Sequence, residues 1–465
     1  MKLSLREQLV QFGHLLQSAL FPVLETQLGE LTESARRLVA TLEMIPLTRF
    51  IPASRGWMGR PSKDRDAIAR AFIAKAVYGF SHTRQLLEAL QRDEQLRRIC
   101  GWETAKRVPH ESTFSRAFDE FARMELPQFV HETLIRETQK DRVIGHIARD
   151  STAIAAREHY PESSEKPSKP AQSDHSVNPA SNSCNSGDSG SQDKLEEPGK
   201  SDASVGPDNN HNPKPAQTTL AEEPLLDLVP PLPNPPAVTV AAPTPSAPRK
   251  RGRKPHGAHK RWKGGKPPRK AREGTRLQRQ RTMSLPDMLA DLPRECNLGG
   301  KKDSNGNNQY WRGYKLHLDV ADGQIPISAV LTSASVHDSQ VAIPLMTMST
   351  QRVNYYCYDL MDSAYDAQHI TEHSRGLGHV PIVDPPQRGR KDESSILPST
   401  QRQLSWSEAD RYKERTMVER VNARLKDEFG ARNVRVRGPV KVMAHLMFGV
   451  LALTADQLLR LGGSF

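Results

Sequence analysis

Four polar residues at helical spacing stand out in the last quarter of this 465-residue chain: Tyr412, Arg415, Glu419 and Lys426. An α-helix rotates by about 100° per residue, so it would place all four within an arc of about 60°. A carboxylate flanked by a guanidinium, an ammonium and a phenol suits a metal site that acts on a phosphodiester backbone. The alternative is a solvated helix face on which Arg415 and Glu419 form an ordinary ion pair.

A second set of residues in the same segment is apolar and would hold this helix against a core. Val418, Val421, Leu425 and Phe429 fall on a separate arc of the helix. An amphipathic helix buries such an arc and leaves the polar one facing outward. The polar arc would therefore be held in a fixed position, and its chemistry depends on partner residues elsewhere in the chain.

Two aspartates upstream each follow a predicted strand. Asp150 comes after the apolar run at 143–147, and Asp362 comes after the tyrosine-rich, β-prone run at 355–358. Asp359 is a rival for the second position because it follows the same run directly. Aspartate is also common in turns and helix caps, so neither position is decisive alone. Together with the carboxylate of the helix, the two aspartates would make a set of three.

The spacing of the four helix residues resembles the signature helix of the DDE transposases of bacterial insertion sequences. Residues 362–366, Asp-Ser-Ala-Tyr-Asp, also resemble the Asp-x-x-Tyr-Asp motif of that family, which favours their first aspartate over Asp359. The resemblance covers residues 141–160 and 310–460, and it is weaker over 50–130.

The resemblance implies a transposase that cuts DNA with divalent metal ions. Two Mg²⁺ ions, for which Mn²⁺ can substitute, would activate the attacking water and stabilise the departing oxygen. Carboxylate oxygens are the ligands that such hard cations prefer. The implied catalytic metal ligands are Asp150, Asp362 and Glu419. The implied DNA contacts are Tyr412, Arg415 and Lys426.

The same resemblance implies the reaction, the partners and the location. Hydrolysis frees a 3′-hydroxyl at the end of the mobile element, and that hydroxyl then attacks target DNA. The partner is double-stranded DNA, at the terminal inverted repeats and at the target, and a homodimer is expected on the DNA. The expected location is the bacterial cytoplasm, in association with the nucleoid, with no membrane partner.

The predicted fold class is α/β: an RNase H-like mixed sheet with flanking helices, preceded by an all-helical domain and interrupted by a long disordered insertion. Alternating apolar and polar residues at 314–320 predict a half-buried strand, and Asp322-Gly323 predicts a hairpin turn. The predicted domains are a helical DNA-binding domain at 1–140, the first catalytic strand at 141–160, the insertion at 161–305 and the remaining catalytic domain at 306–465.

The helical domain is predicted from apolar spacing such as that of Phe114, Phe118 and Phe121. Short helices of this kind form either a DNA-binding domain or a bundle that binds no ligand. The spacing itself favours the bundle, whereas the resemblance of residues 111–116 to transposase sequences favours DNA binding.

Composition predicts that residues 161–248 are disordered. They contain 17 of the 35 prolines and no Phe, Trp or Tyr, so they cannot bury enough apolar surface to offset their chain entropy. Residues 249–281 hold 15 Lys and Arg and one acid, a local charge of +14 that exceeds the +12 of the whole chain. Arg251 and Arg253 resemble the core of an AT-hook that enters the DNA minor groove. The alternative is a nonspecific polycation.

Three other functions are compatible with these residues. An RNase H-type nuclease would cleave without strand transfer, a transposase remnant would bind DNA without catalysis, and a scaffold would use the proline-rich segment. Four scattered cysteines without a Cys-x-x-Cys pair argue against a zinc finger and indicate a reducing compartment. No early segment has the layout of a signal peptide. The apolar run at 443–453 is too short to span a bilayer and predicts a packed helix.

Overall fold

One mixed β-sheet forms the centre of the protein. The computed structural model describes residues 4–51, 64–158, 274–302, 306–384 and 404–463. The strands within these residues are β1 (Ile144–Ala155), β2 (Asn297–Lys302), β3 (Asn308–Ala321), β4 (Ile325–Ser333), β5 (Tyr356–Met361) and β6 (Val380–Val383). They are ordered β2-β3-β1-β5-β6, and β4 also pairs with β3.

Helices precede and flank this sheet. Before β1, the described residues form α1 (Leu5–Leu15), α2 (Phe21–Leu28), α3 (Glu33–Met44), α4 (Arg65–Val77), α5 (Thr83–Arg92), α6 (Glu94–Cys100), α7 (Glu111–Arg123) and α8 (Leu126–Gln139). After β1 come α9 (Arg276–Gln280), α10 (Leu285–Asp291), α11 (Ser339–Arg352), α12 (Gln368–Gly376), α13 (Trp406–Tyr412), α14 (Thr416–Asp427) and α15 (Pro439–Leu461).

The pairing of β1 defines the topology. This strand is antiparallel to β3 and parallel to β5, and β5 is parallel to β6. A mixed sheet of this order with helices on its faces is an RNase H-like fold, so the predicted fold class is confirmed. The helical character of the described residues before β1 is confirmed as well.

The amino-terminal helices share a core with the carboxyl-terminal helix. Phe72 on α4 packs against Phe118 on α7, with ring centroids 5.0 Å apart, and against Phe448 on α15 at 5.7 Å. Aromatic pairs at such distances contribute beyond the area they bury. The boundary predicted at residue 140 therefore runs through one continuous hydrophobic core.

The hairpin formed by β3 and β4 is buried on both faces, whereas alternation predicted a half-buried strand. All nine residues of β4 are buried, as are Leu316, Leu318 and their polar neighbour His317 on β3. The reason is that α11 packs against both strands, α14 packs against β3 and α15 packs against β4. The predicted turn is present, with positive φ angles of 84° at Gly323 and 61° at Gln324.

Part of the predicted insertion is folded, which corrects its boundary. Residues 274–302 form α9, α10 and β2 instead of disordered chain. The side chains of Thr275 and Ser284 cap the two helices, and Arg276 binds the Asp291 carboxylate at 2.7 Å. These caps and ion pairs stabilise helices too short to form alone. The proline-rich stretch and the candidate AT-hook residues Arg251 and Arg253 lie outside the described residues.

The predicted carboxyl-terminal helix is confirmed and extends over 23 residues as α15. It is long and apolar enough to cross a membrane by length and composition, but 89% of its most apolar window is buried inside the protein. The ring of His445 hydrogen-bonds the Gly430 carbonyl oxygen, at 3.2 Å. This helix is therefore a buried element of the core.

Candidate active site

The strand register brings the two predicted aspartates together. β1 pairs with β5 as far as Ala148 and Leu360, and the same register continued by two residues places Asp150 beside Asp362. Asp362 directly follows β5, as predicted. Asp150 lies within β1 and not at its end, because β3 continues to pair with β1 as far as Ala155.

Both carboxyl groups lie in a setting that disfavours their charge. Burial raises the pKa of Asp150 to about 6, and the neighbouring Asp362 adds to this increase. Burial also raises the pKa of Asp362, whose carboxylate accepts a hydrogen bond from the Ala364 N–H at 3.0 Å. The cation of Arg415 is close enough to lower both pKa values. Paired carboxyl groups with raised pKa values are a common feature of metal and catalytic sites.

The predicted signature helix is interrupted where it passes this pair. Tyr412 ends α13, Arg415 lies in a 3-10 turn, and Glu419 and Lys426 belong to α14. The hydroxyl of Thr416 donates to the Lys413 carbonyl at 3.0 Å, a local bond that competes with regular helix bonding. The prediction of one continuous helix was therefore wrong in detail. The predicted apolar stripe is buried, at Val418, Val421, Leu425 and Phe429.

Glu419 is held by Arg415 in this structure. The Arg415 guanidinium donates to Glu419 Oε1 at 2.5 Å, and the Glu419 side chain is half exposed. This is the ion pair that the solvated-face alternative predicted. Among the described residues, no three His, Cys, Asp or Glu side chains are arranged to hold one ion. The Glu419 carboxylate would have to leave Arg415 in order to bind a metal ion.

The other two residues of the polar arc also lie near this region. The Tyr412 ring lies 5.7 Å from the guanidinium carbon of Arg415, and burial raises the pKa of its phenol to about 12, so the phenol is neutral. Lys426 is partly buried, and its pKa is lowered first by that burial and then by Lys301 and Arg432. Such a group of neighbouring positive charges favours the binding of an anionic partner.

A fourth acid at the site was missed from the sequence. Asp338 lies near both aspartates and raises their pKa values, and Lys315 neutralises it through a contact of 2.9 Å. The ring of the neighbouring His337 accepts a hydrogen bond from the Ser339 N–H at the start of α11. In the stretch Ser335-Val-His-Asp-Ser339, the residue that lies near the two aspartates is therefore Asp338.

Asp359, the rival for the second aspartate, has a different role. It is fully buried and lies 3.2 Å from the guanidinium of Arg149, which also contacts Asp319 at 2.8 Å. Ser374 donates to its other oxygen at 2.6 Å. Both oxygens of the Asp359 carboxylate are thus bonded inside the protein, and the side chain is inaccessible to solvent.

The donor set at the site fits a hard divalent cation. Asp150 and Asp362 supply oxygen ligands, as Mg²⁺ and Mn²⁺ prefer. Two buried polar atoms of the described chain also have no hydrogen-bond partner there: the Tyr365 hydroxyl, close to both aspartates, and the amide oxygen of Asn422, whose nitrogen bonds Asp150. Buried polar groups are rarely left unpaired, and an ion with its bound waters would supply partners.

Comparison with known families agrees with this geometry. Residues 248–455 match the family described as Transposase DDE domain, and residues 26–120 match the Transposase domain (DUF772). The first range contains Asp362 and Glu419 but not Asp150, whose place at the site rests on the strand register. No curated protein and no solved structure matches the chain.

The two matches together indicate a DDE transposase of the insertion-sequence type. Proteins of this family bind DNA, have nuclease and transposase activity and generally use divalent metal ions.

Proposed function

We propose that this transposase cleaves DNA strands at the ends of an insertion sequence and joins them to target DNA, with Asp150, Asp362 and Glu419 as catalytic metal ligands. The observation that supports this most strongly is the parallel register of β1 and β5, which places Asp150 beside Asp362 when it is continued by two residues. The helix that carries Glu419 packs against β1 and β3, beside this pair.

Each residue has a distinct task in this proposal. Divalent ions, two Mg²⁺ with Mn²⁺ as a substitute, would activate the nucleophile and stabilise the departing oxygen. Asp150 and Asp362 would hold the ions from a rigid sheet, and Glu419 would close the site from α14. Arg415 is within range of all three carboxylates, so it would bind the phosphate that enters beside them. The neutral Tyr412 phenol would donate to phosphate or stack on a base or sugar.

The proposed partners and setting follow from the reaction. The substrates are the terminal inverted repeats of the element and a target duplex, and two ends brought together imply a homodimer on DNA. Bacterial insertion sequences reside in the chromosome, so we expect the protein in the cytoplasm with the nucleoid.

The experiment that tests this function uses the DNA that flanks the gene. Purified full-length protein is incubated with a labelled duplex of that flanking sequence, a target plasmid and Mg²⁺. We expect a nick that leaves a 3′-hydroxyl, followed by joined products. Cleavage without joined products would indicate an RNase H-type nuclease instead, and binding without cleavage would indicate a catalytically inactive remnant.

Replacement of Arg415 or Lys426 by Ala should weaken the DNA complex and slow cleavage without weakening metal affinity, because neither side chain can bind a cation. Each lost phosphate contact should reduce the slope of log K against log salt by about 0.9. Arg420→Ala is the matched control, since Arg420 is exposed on α14 and bonds only Thr416 among the described residues. The measurement is a salt titration of DNA binding. An equal loss of DNA affinity in the Arg420→Ala variant would show that the face with Arg415 and Lys426 has no special role in DNA binding.

Deletion of residues 165–270 should leave the folded part intact and reduce the salt dependence of DNA binding. The deletion removes 11 of the 15 Lys and Arg of the basic run. The last three arginines of the run are kept, because Arg276, Arg279 and Arg281 pair with Asp291 or Glu372. If Arg251 and Arg253 form an AT-hook, preference for A·T-rich DNA should also disappear.

The control for this deletion is a longer one, 165–285, which also removes α9. The side chain of Gln280 on α9 is fully buried and donates to the Gln340 carbonyl at 2.8 Å. The longer deletion should therefore lower the thermal midpoint, whereas the shorter one should not. An unchanged salt slope after the shorter deletion would show that the basic run does not contact DNA.

A further inference from the structure

Asn422 has an unusual position beside the two aspartates. It lies three residues after Glu419, about one turn along α14, and only 6% of its surface is exposed. Its amide nitrogen donates to Asp150 Oδ2 at 3.3 Å. Its amide oxygen is buried and has no hydrogen-bond partner among the residues that the structure describes.

The bond to Asp150 fixes the orientation of this amide. Only the nitrogen of an amide can donate a hydrogen bond to a carboxylate. The other terminal atom of the Asn422 side chain must therefore be the oxygen. A buried oxygen without a donor lowers the stability of a folded protein. Its buried neighbours on α14, Val418, Val421 and Leu425, are apolar. Packing alone would therefore favour an apolar side chain such as leucine at this position.

We propose that Asn422 is a fourth protein group of the metal site, with its amide nitrogen holding Asp150 in place and its amide oxygen binding the ion or a water molecule on that ion. This inference rests on the proposed function and adds a residue to the same site. Amide oxygens are established ligands of hard divalent cations, directly or through water. Groups that orient a metal ligand typically change metal affinity by about 10- to 100-fold.

Two variants of full-length protein separate this role from a structural one. Asn422→Leu removes both the donor and the oxygen and keeps similar volume. Asn422→Asp keeps an oxygen but replaces the donor by a second charge. Thermal unfolding is measured with EDTA and again with Mg²⁺ or Mn²⁺, and the dissociation constant for Mn²⁺ is measured by calorimetry without DNA.

The two variants should change in opposite directions. Without metal, Asn422→Leu should unfold at the wild-type temperature or above it, because the unpaired oxygen is gone. It should bind Mn²⁺ at least about tenfold more weakly and lose most of the stabilisation by metal. Asn422→Asp should unfold at a lower temperature without metal, because two carboxylates would lie side by side. It should bind Mn²⁺ at least as tightly as the wild type.

A purely structural Asn422 would lower the unfolding temperature of both variants without metal and leave both dissociation constants unchanged, and that result would overturn the proposal. Asp150→Ala serves as the reference variant. If Asp150→Ala abolishes metal binding and Asn422→Leu does not weaken it, only the inference about Asn422 fails. If the wild type binds no divalent ion, or if Asp150→Ala binds it normally, the proposed catalytic site fails as well.

Discussion

Replacement of Asp150 or Asp362 by Asn should abolish DNA cleavage and, without metal, should make the protein more stable. Each substitution removes an anionic metal ligand. The loss of activity should therefore exceed the roughly 10- to 100-fold loss that is typical when a group that only orients a metal ligand is removed. The fold should persist, because in Asp150→Asn the new amide oxygen can still accept the bond from Asn422. Asp427→Asn is the matched control, since Asp427 is an exposed acid on the same helix as Glu419.

The direction of the stability change follows from the pKa of Asp150. Folding raises this pKa from 3.8 to about 6. The stabilisation from the protonated carboxyl is complete below pH 3.8 and is lost as pH rises through about 6. Metal-free wild type should therefore lose about 2 kcal/mol between about pH 4 and pH 7 on account of this group. Asp150→Asn should not show that loss and should unfold a few degrees higher at neutral pH.

Urea unfolding across about pH 4 to 7 in EDTA measures this effect, and a cleavage assay in Mg²⁺ measures the activity. Metal affinity of the wild type should also fall below about pH 6, because protons compete for Asp150. Retained cleavage in Asp150→Asn or Asp362→Asn would remove that residue from the proposed site. A lower stability of Asp150→Asn at neutral pH would mean that the carboxylate is structural.

Replacement of Arg149 by Met should prevent stable folding, in contrast to the substitutions at Asp150. Arg149 is fully buried and contacts Asp319 on β3 and Asp359 on β5, so it joins the three central strands. Its removal leaves two buried carboxylates without their cation. Loss of one partner from a buried ion pair costs about 3–5 kcal/mol, a large part of the stability of most domains.

Two further variants test this explanation of the Arg149 effect. Asp359→Asn keeps the Arg149–Asp319 contact and the bond from Ser374, so it should cost less and leave metal affinity unchanged. A triple variant that combines Arg149→Met with Asp319→Leu and Asp359→Leu should recover part of the lost stability, because no unpaired buried charge remains. Thermal unfolding of soluble protein provides the measurement. Equal stability of Arg149→Met and wild type would show that the ion pairs contribute nothing.

The parts of the site that the sequence could predict are those encoded locally. The apolar stripe of α14 and the strand before Asp362 depend on spacing within about a dozen residues. The turn at Gly323 likewise depends on a residue that tolerates positive φ. Each of these local features is present in the structure.

The parts that the sequence could not predict depend on contacts between distant segments. Arg149 and Asp359 are 210 residues apart, and Asn422 and Asp150 are 272 apart, so no local pattern joins them. The helices α9 and α10 are short and are stabilised by ion pairs, so they lack the long apolar periodicity that would have separated them from the predicted insertion. The position of Asp150 inside β1 depends on how far β3 continues to pair with that strand. The alternation of apolar and polar residues does not indicate this length.

The most direct test of the proposed catalytic site is iron-directed cleavage of the protein itself. Fe²⁺ is bound in place of Mg²⁺, and ascorbate and peroxide then generate hydroxyl radicals that cut the backbone close to the ion. We expect three sets of fragments, from cuts near Asp150, Asp362 and Glu419, and we expect excess Mg²⁺ to suppress all three. The fragments should disappear in a variant that combines Asp150→Ala with Asp362→Ala. Cuts at other positions, or the same cuts in that variant, would contradict the assignment of these residues to one metal site.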